Sequence, residues 1–266
     1  MNRWIAGGAL AGAAGLTALA FSGLTSGIAQ TDEGGSGFSN AEKGEIERIV
    51  ADYIANNPEK VMEALTAFAA AEDERRAADQ RVAQREAATY LASAEDAYEA
   101  GPDASAAKVA VVEFFDYHCG FCKRANGLVR ELTSEDPSVK VVFRELPILR
   151  QESEIAARHA LAARAQGKYL DFHFALMKKS GTLTEARILK VAKDIGLDVE
   201  RLKKDAQSDS VEDALEYNYQ VAKDIGVDGT PGFLVVSTDG SFVELIPGFR
   251  PEEIRKAVKE AKKASS

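Results

Sequence analysis

Residues 111–124 read Val-Val-Glu-Phe-Phe-Asp-Tyr-His-Cys-Gly-Phe-Cys-Lys-Arg, and this stretch decides the fold. It continues a short, nearly continuous apolar run over 109–115, which is typical of a strand buried on both faces. A helix is predicted to begin at Cys119 and to end at about Leu132. The stretch therefore places Cys119 and Cys122 where a buried strand gives way to a helix.

These two cysteines are the only ones in the 266-residue sequence. A disulfide between them would close almost no loop and would add little stability through chain entropy. At the start of a helix, unpaired N–H groups and the positive end of the helix dipole favour a thiolate. The pattern predicts Cys119 as an attacking nucleophile and Cys122, one turn later, as the thiol that resolves a mixed disulfide. Lys123 and Arg124 add positive charge nearby.

A metal site is the main alternative for such a cysteine pair. A closed zinc site needs two more ligands, and His118, His159 and His173 form no pair at ligand spacing. Copper(I) stays an alternative because two soft thiolates can hold it, although no Met-rich or His-rich tract accompanies the pair. We predict no resident metal and no cofactor.

The flanking sequence extends the alternation of strands and helices. A second strand is predicted over 139–145, and 152–227 is almost wholly helical by its apolar spacing. Strands over 233–237 and 242–246 follow, joined by a turn at Asp239-Gly240, and Pro251 opens a last helix. The order β-α-β, helical insert, β-β-α predicts an α/β domain.

The N-terminal residues 1–29 have the pattern of a secretory signal peptide. Arg3 precedes an Ala/Gly/Leu-rich stretch, and the small residues Gly27 and Ala29 fit a cleavage site before Gln30. An uncleaved membrane anchor is the alternative, but five glycines dilute the stretch and favour cleavage. We expect export to the periplasm, with residues 30–38 as a polar, Gly-rich linker.

Residues 39–100 are predicted to form a helical stalk and connector. Ser39 and Glu42 make a capping box, and Asn57-Pro58 separates two helices. Each helix has an apolar face, and a short helical hairpin cannot bury both faces alone. The stretch 72–99 is interpreted as a solvated connector, which favours self-association over packing on the catalytic domain. The faces comprise Ile46, Ile49, Val50, Tyr53 and Ile54, then Val61, Met62, Leu65 and Phe68.

Composition excludes several other classes of function. The hydrophobic fraction of 45% and the charged fraction of 28% are those of an ordinary globular protein. The formal net charge of −9 gives no support to nucleic-acid binding, which needs a basic face. No glycine-rich nucleotide-binding motif is present in the sequence.

The 111–124 stretch, together with Gly-Thr-Pro-Gly-Phe at 229–233, resembles the DsbA-like branch of the thioredoxin superfamily. The resemblance covers about 109–261. It implies a thioredoxin fold over 104–266 with a helical insert at about 150–227. It also implies that Thr230 and a cis Pro231 lie beside Cys119 and receive the substrate chain, and that Glu113 is a buried acid that shuttles protons to Cys122.

Two positions depart from typical DsbA oxidases. His118 replaces an aromatic residue and, when charged, would stabilise the Cys119 thiolate. Gly-Phe between the cysteines replaces Pro-His and is close to the Gly-Tyr of the DsbC disulfide isomerases.

Residues 46–65 add a resemblance to the N-terminal segment of the suppressor-of-copper-sensitivity C (ScsC) proteins. That resemblance implies a homo-oligomer through residues 39–70, with a trimer favoured, and a protein disulfide isomerase. Its partners would be exported client proteins with disulfides and a membrane or periplasmic redox partner. The alternatives are a DsbA-type dithiol oxidase and a copper(I)-binding protein in copper tolerance.

Overall fold

The computed structural model describes residues 37–93 and 97–265. The predicted signal peptide and most of the predicted linker lie outside these residues. The described part of the chain divides into two compact units, one that ends at Ala64 and one that begins at Leu65. In the described ranges, none of the helices combines the length and the apolar character needed to cross a membrane.

Two helices open the described chain, α1 (Asn40–Asn56) and α2 (Pro58–Ser93). The predicted capping box is confirmed: the Ser39 hydroxyl accepts the Glu42 N–H, and the Glu42 carboxylate accepts the Ser39 N–H at 2.8 Å. The predicted break is confirmed too, because α1 ends at Asn56 and α2 begins at Pro58.

A five-stranded sheet in the described chain runs in the order β1-β3-β2-β4-β5. Strand β2 pairs parallel with β3 and antiparallel with β4. The outer strands β1 and β5 pair antiparallel with β3 and β4. The strand bounds are β1 Tyr98–Ala100, β2 Val109–Phe115, β3 Val139–Glu145, β4 Gly232–Ser237 and β5 Val243–Pro247.

The interpretation of 72–99 as a solvated helical connector is wrong at its C-terminal end. Ala88, Leu91 and Ala92 of α2 are buried, and residues 98–100 form the edge strand β1. The reason is long-range packing: the Tyr98 ring stacks on Tyr169 with the ring centroids 4.5 Å apart. Local composition, rich in charge and alanine, contains no sign of these distant partners.

The helical insert predicted between β3 and β4 is confirmed as five α-helices and one 3-10 turn. Helix α3 precedes β3, and α9 closes the chain. The bounds are α3 Gly120–Leu132, α4 Gln151–Ala163, the 3-10 turn Arg164–Gln166, α5 Tyr169–Met177, α6 Glu185–Asp194, α7 Val199–Asp205, α8 Asp209–Ile225 and α9 Pro251–Ala264.

Helices cover both faces of the sheet, and the alternation of β2 decides what faces each layer. Val109, Val111 and Phe115 face the larger core, formed with α3, α9 and most of the insert. Ala110, Val112 and Phe114 face a smaller core, formed with the end of α2 and the end of α8. Because Glu113 alternates with Phe114, it lies on the same side of the sheet as α3. The architecture confirms the predicted α/β thioredoxin fold with a helical insert.

Candidate active site

Cys119 is placed by the end of β2 and the start of α3. It occupies the N-cap of α3 in an extended conformation, and its N–H donates to the Asp116 carbonyl at 3.0 Å. Its Sγ accepts the backbone N–H of Cys122 at 3.3 Å. The side chain thus takes the place of a capping oxygen at a helix N-terminus, where a negative charge is favoured.

The loop before β4 completes the site from the other side. The Thr230-Pro231 peptide bond is cis, and the Cys119 Sγ lies 3.1 Å from the Thr230 carbonyl oxygen, to which it donates when it is protonated. Residues 111 positions apart in the sequence therefore meet at the sulfur. Only 5% of Cys119 is exposed, so a reacting disulfide must approach along this loop.

The two thiols have opposite electrostatic environments. A hydrogen bond from the Cys122 thiol, assisted by backbone N–H groups, lowers the pKa of Cys119 to about 6 against the effect of burial. Burial, followed by the hydrogen bond with Cys119, raises the pKa of Cys122 far above its usual value. At neutral pH, Cys119 is therefore a thiolate and Cys122 a thiol.

Glu113 lies behind the cysteine pair, only 1% exposed. Burial, followed by the charge of Cys119, raises its pKa to about 8, so the carboxyl is mostly protonated at neutral pH. Its Oε2 has no hydrogen-bond partner among the described residues, and its charge acts on Cys122. A neutral acid with an open oxygen next to a buried thiol is suited to accept and return a proton.

His118 is held by both of its ring nitrogens. Nε2 accepts the backbone N–H of Leu183 at 2.9 Å, and Nδ1 lies 2.9 Å from the Ser153 hydroxyl. Because the Ser153 hydroxyl already donates to Asp116 at 2.7 Å, Nδ1 must supply the proton of that contact. Burial lowers the pKa of His118. This arrangement fits a neutral ring and not the charged form considered from the sequence.

Asp116 is a site residue that sequence reasoning missed. Its buried carboxylate accepts the His118 N–H at 2.7 Å, the Ser153 hydroxyl and the Leu149 N–H at 3.0 Å. It thereby fixes the loop that leads to Cys119. The only sequence signal is an acid just after a buried strand, since its partner Ser153 lies 37 residues away.

A second buried acid lies at the end of β3. The Glu145 Oε1 accepts the Tyr117 hydroxyl at 3.0 Å and the Tyr169 hydroxyl at 2.8 Å. Burial raises the pKa of Glu145 well above its usual value. The cluster joins the residue before His118 to the helical insert, so it stiffens the site from behind.

Comparison with known proteins gives one family. Residues 110–259 match the family described as the DSBA-like thioredoxin domain. A thioredoxin-like oxidoreductase from Silicibacter pomeroyi is 41% identical, with a TM-score of 0.60 over 65% of this chain and 96% of that chain. A linker-deletion mutant of ScsC from Proteus mirabilis is 25% identical, with a TM-score of 0.60 over 86% and 98%.

Among curated relatives, the Na(+)/H(+) antiporter NhaA 3 of Salinispora tropica is 32% identical over 131 residues. That match covers 48% of this chain, and the chain spans about 20% of the length of that relative. The similarity therefore concerns a segment of the antiporter and not the whole protein. By its family match, its fold and its cysteine pair, the chain belongs to the DsbA-like thioredoxin domain family of thiol–disulfide oxidoreductases.

Proposed function

We propose that this protein is an exported, oligomeric protein disulfide isomerase of the ScsC-like kind, acting in the periplasm. The observation that carries the proposal is the asymmetry of the two thiols. Cys119 is a thiolate at neutral pH, with a pKa of about 6, whereas Cys122 stays protonated. Such a reduced pair attacks client disulfides and keeps its second thiol in reserve.

The reaction follows from this asymmetry. The Cys119 thiolate attacks one sulfur of a non-native client disulfide, and the other client sulfur leaves as a thiolate. A client thiolate then attacks the mixed disulfide, forms the new client disulfide and returns Cys119 as a thiolate. No net electrons are exchanged, so the protein ends as it began.

A stalled intermediate has a second exit through Cys122. The ionised fraction of Glu113, which is small at neutral pH, acts as the base and accepts the proton of Cys122. The Cys122 thiolate then attacks Cys119 and releases the client as a thiol. The oxidised pair needs two electrons from a membrane or periplasmic redox partner before it isomerises again.

The N-terminal helices support self-association. In the single chain, Ile49, Tyr53 and Ile54 of α1 are about half exposed, as are Leu65 and Phe68 of α2. Apolar side chains in a continuous helical stripe favour burial against another copy. A trimer through residues 39–70 would place three Cys119 sites around one client and raise their effective concentration.

A DsbA-type oxidase is the second candidate, because the same thiolate stabilisation favours the reduced form of the pair. Stabilising the reduced form makes the disulfide a stronger oxidant. Copper(I) binding is a further candidate, and it would use both sulfurs. Burial of Cys122 opposes this role, because the Cys122 thiol must lose its proton to become a ligand.

Two measurements on the same protein separate these candidates. Equilibration with glutathione gives the redox potential, and mixing the oxidised form with a reduced substrate gives its rate of client oxidation. We expect a potential clearly more reducing than the DsbA value of about −120 mV, and slow client oxidation. A potential at the DsbA end with rapid client oxidation would establish the oxidase instead. Retention of copper(I) by the reduced protein against a competing chelator would add the metal role.

A further inference from the structure

An exposed apolar patch borders the nucleophile. Phe121, between the two cysteines, is 57% exposed. Ile148 and Leu149, in the loop after β3, are also exposed, and the Leu149 N–H donates to Asp116, three residues before Cys119. We call Phe121, Ile148 and Leu149 the apolar patch. Bulky apolar side chains at a reactive sulfur favour contact with a partner chain.

Four cations lie near the nucleophile, and we call them the cationic rim: Lys123, Arg124, Arg150 and Arg187. The Arg124 guanidinium stacks on the Phe121 ring, 3.9 Å from its centroid. Arg150 and Lys123 both act electrostatically on His118, the residue before Cys119. The charge of Arg187 acts on Lys123, together with those of Cys119 and Arg150. The four charges therefore belong to one neighbourhood of the nucleophile.

Two of these cations are fixed by the backbone of the loop between α5 and α6. The Lys123 ammonium donates to the Lys179 carbonyl. The Arg187 guanidinium donates to the Ser180 carbonyl at 2.9 Å and also to the Thr182 carbonyl. Carbonyl partners leave the positive charges uncompensated, unlike carboxylate partners. Ordered cations lose less side-chain entropy when they meet an anion.

The positive charge of the cationic rim contrasts with the chain as a whole, which has a formal net charge of −9. The acids that act on His118 from the same side are Asp116 and Glu152. Asp116 is buried, and its carboxylate is engaged by three donors within the loop. Around His118 and Lys123, the cations Lys123, Arg150 and Arg187 thus outnumber the acids Asp116 and Glu152, of which Asp116 is turned inward. A positive surface on an acidic protein selects partners by charge.

We propose that the apolar patch and the cationic rim form a docking surface for client segments that carry acidic residues next to the reacting cysteine. The inference rests on the proposed exchange function, because the residues that flank a client cysteine must contact this surface when that cysteine reaches Cys119. Apolar residues of the segment contact Phe121, Ile148 and Leu149. Its carboxylates meet the rim, which attracts them before the sulfurs react.

The test uses three short peptides that differ only in the two residues flanking a single cysteine: Glu, Gln or Lys. Each cysteine is blocked as a mixed disulfide with neutral 2-mercaptoethanol. The reduced protein attacks this disulfide through Cys119, Cys122 closes the protein disulfide, and peptide and mercaptoethanol leave as thiols. Chromatography of acid-quenched samples gives each second-order rate constant, which is divided by that of the same peptide with dithiothreitol.

We expect the normalised rate of the Glu peptide to exceed that of the Gln peptide by about three- to fivefold at low salt, with the Lys peptide slowest. Raising the salt to about 0.5 M should shrink the difference. Arg150→Gln and Arg124→Gln should each reduce the Glu-to-Gln ratio. Lys263→Gln removes a charge near the end of α9, where Lys262 pairs with Asp136 ahead of β3, and should leave the ratio unchanged.

The outcomes separate the inference from the proposed function. Equal normalised rates for the three peptides, or a ratio that Arg150→Gln does not change, would overturn the docking surface while leaving exchange intact. If none of the peptide disulfides reacts faster with the protein than with dithiothreitol, the proposed exchange function itself fails.

Discussion

At the scale of single residues, the sulfur of Cys119 is controlled by a few contacts. The Cys122 thiol makes the largest contribution to a Cys119 pKa of about 6. Thiolate absorbance near 240 nm, followed against pH in the reduced protein, should therefore rise with a midpoint near 6. In Cys122→Ala the midpoint should move upward, because the strongest hydrogen bond is lost. A wild-type midpoint near ~8.5, that of an ordinary thiol, would contradict this description.

Glu113 gives a prediction about pH and stability. Burial raises its pKa in the folded state to about 8, above the ordinary value of about 4.5 in the unfolded chain. The folded state therefore binds more protons, and Glu113 lowers stability as pH rises from about 4.5 to 8. Cys119 has a lowered pKa and contributes with the opposite sign, so only a difference between variants isolates Glu113. The difference in unfolding free energy between Glu113→Gln and wild type should therefore grow in favour of the variant by at least ~1 kcal/mol from pH 5 to pH 8.

Urea unfolding of the reduced proteins at the two pH values measures this gain. Glu244→Gln, at an exposed position of β5, is the matched control and should show none. The same Glu113→Gln variant should slow the resolution of a mixed disulfide by Cys122, because the proton acceptor is gone. If the unfolding free energy of Glu244→Gln rose by the same amount between the two pH values, the pH dependence of stability could not be assigned to Glu113.

His118 gives a spectroscopic prediction. Its ring should stay neutral with the proton on Nδ1, because Nε2 accepts the Leu183 N–H. Long-range nitrogen–proton NMR spectra distinguish the two tautomers and the charged ring. We expect the neutral Nδ1–H form at neutral pH and a titration midpoint below that of an ordinary histidine, because burial lowers the pKa of His118. A ring that titrates near ~6.5 would show that the contact with Leu183 does not persist.

Sequence reasoning anticipated part of this site for physical reasons. Cys119 and Cys122 lie only three positions apart in the chain. The start of a helix depends on local sequence, so its position beside them could be predicted. The resemblance to DsbA-like proteins supplied Pro231 and Glu113. The link from Asp116 through Ser153 to His118 was missed, because it depends on how α4 packs against the end of β2, which no local pattern encodes.

At the scale of elements, the end of α2 is joined to the end of α8. The Gln84 side chain donates to the Ile225 carbonyl at 2.8 Å, where α8 ends at a Gly226 with φ of 86°. A Cβ at Gly226 would lie 2.7 Å from the Gln80 carboxamide carbon. Gly226 is favoured for its left-handed backbone conformation, whereas the flexible end of the Gln80 side chain could move away from a Cβ.

Gly226→Ala should lower the free energy of unfolding by about 1–2 kcal/mol, since the left-handed backbone conformation disfavours a Cβ. Gly127→Ala, inside α3 with open space around its Cβ position, should instead raise it by about 0.5–1 kcal/mol. Thermal or urea unfolding gives both values. A neutral Gly226→Ala would show that residue 226 does not hold a left-handed conformation at the end of α8.

Most elements were predictable because their periodicity is strong. Strands β2 and β3 were predicted with the bounds that the structure has, since β2 is a nearly continuous apolar run and β3 is rich in Val and Phe. Strand β1 was missed because three residues carry no periodicity. Its stability comes from Tyr98 on Tyr169 and from pairing with β3, both distant in sequence.

At the scale of the whole molecule, the apolar stripe of α1 gives a prediction about assembly. Ile49 lies in the stripe, whereas Ala55 lies about 120° from Ile49 around the axis of α1 and roughly opposite the centre of the stripe. If the chain self-associates through α1 as proposed, Ile49→Glu should yield monomers, because it would place a charge in the contact between copies. Ala55→Glu should leave the oligomer intact. Sedimentation velocity measures both, and a wild type that sediments as a monomer would refute self-association.

Point substitution is the better test of the stalk than truncation. Deleting residues 30–100 would also remove Ala88, Leu91 and strand β1, which are part of the core of the catalytic unit. A loss of activity in that deletion would not separate assembly from folding. Ile49→Glu changes α1 alone, a helix with no buried residue in the single chain.

The most direct measurement is reactivation of a scrambled multi-disulfide enzyme by the reduced protein from Gln30 onward. Wild type, Ile49→Glu and Ala55→Glu are compared at equal concentrations of Cys119, and reduction of a small disulfide shows that each active site is intact. If the protein is an oligomeric isomerase, wild type and Ala55→Glu reactivate the enzyme and Ile49→Glu does so poorly. No reactivation by wild type, or equal reactivation by all three, would contradict that conclusion.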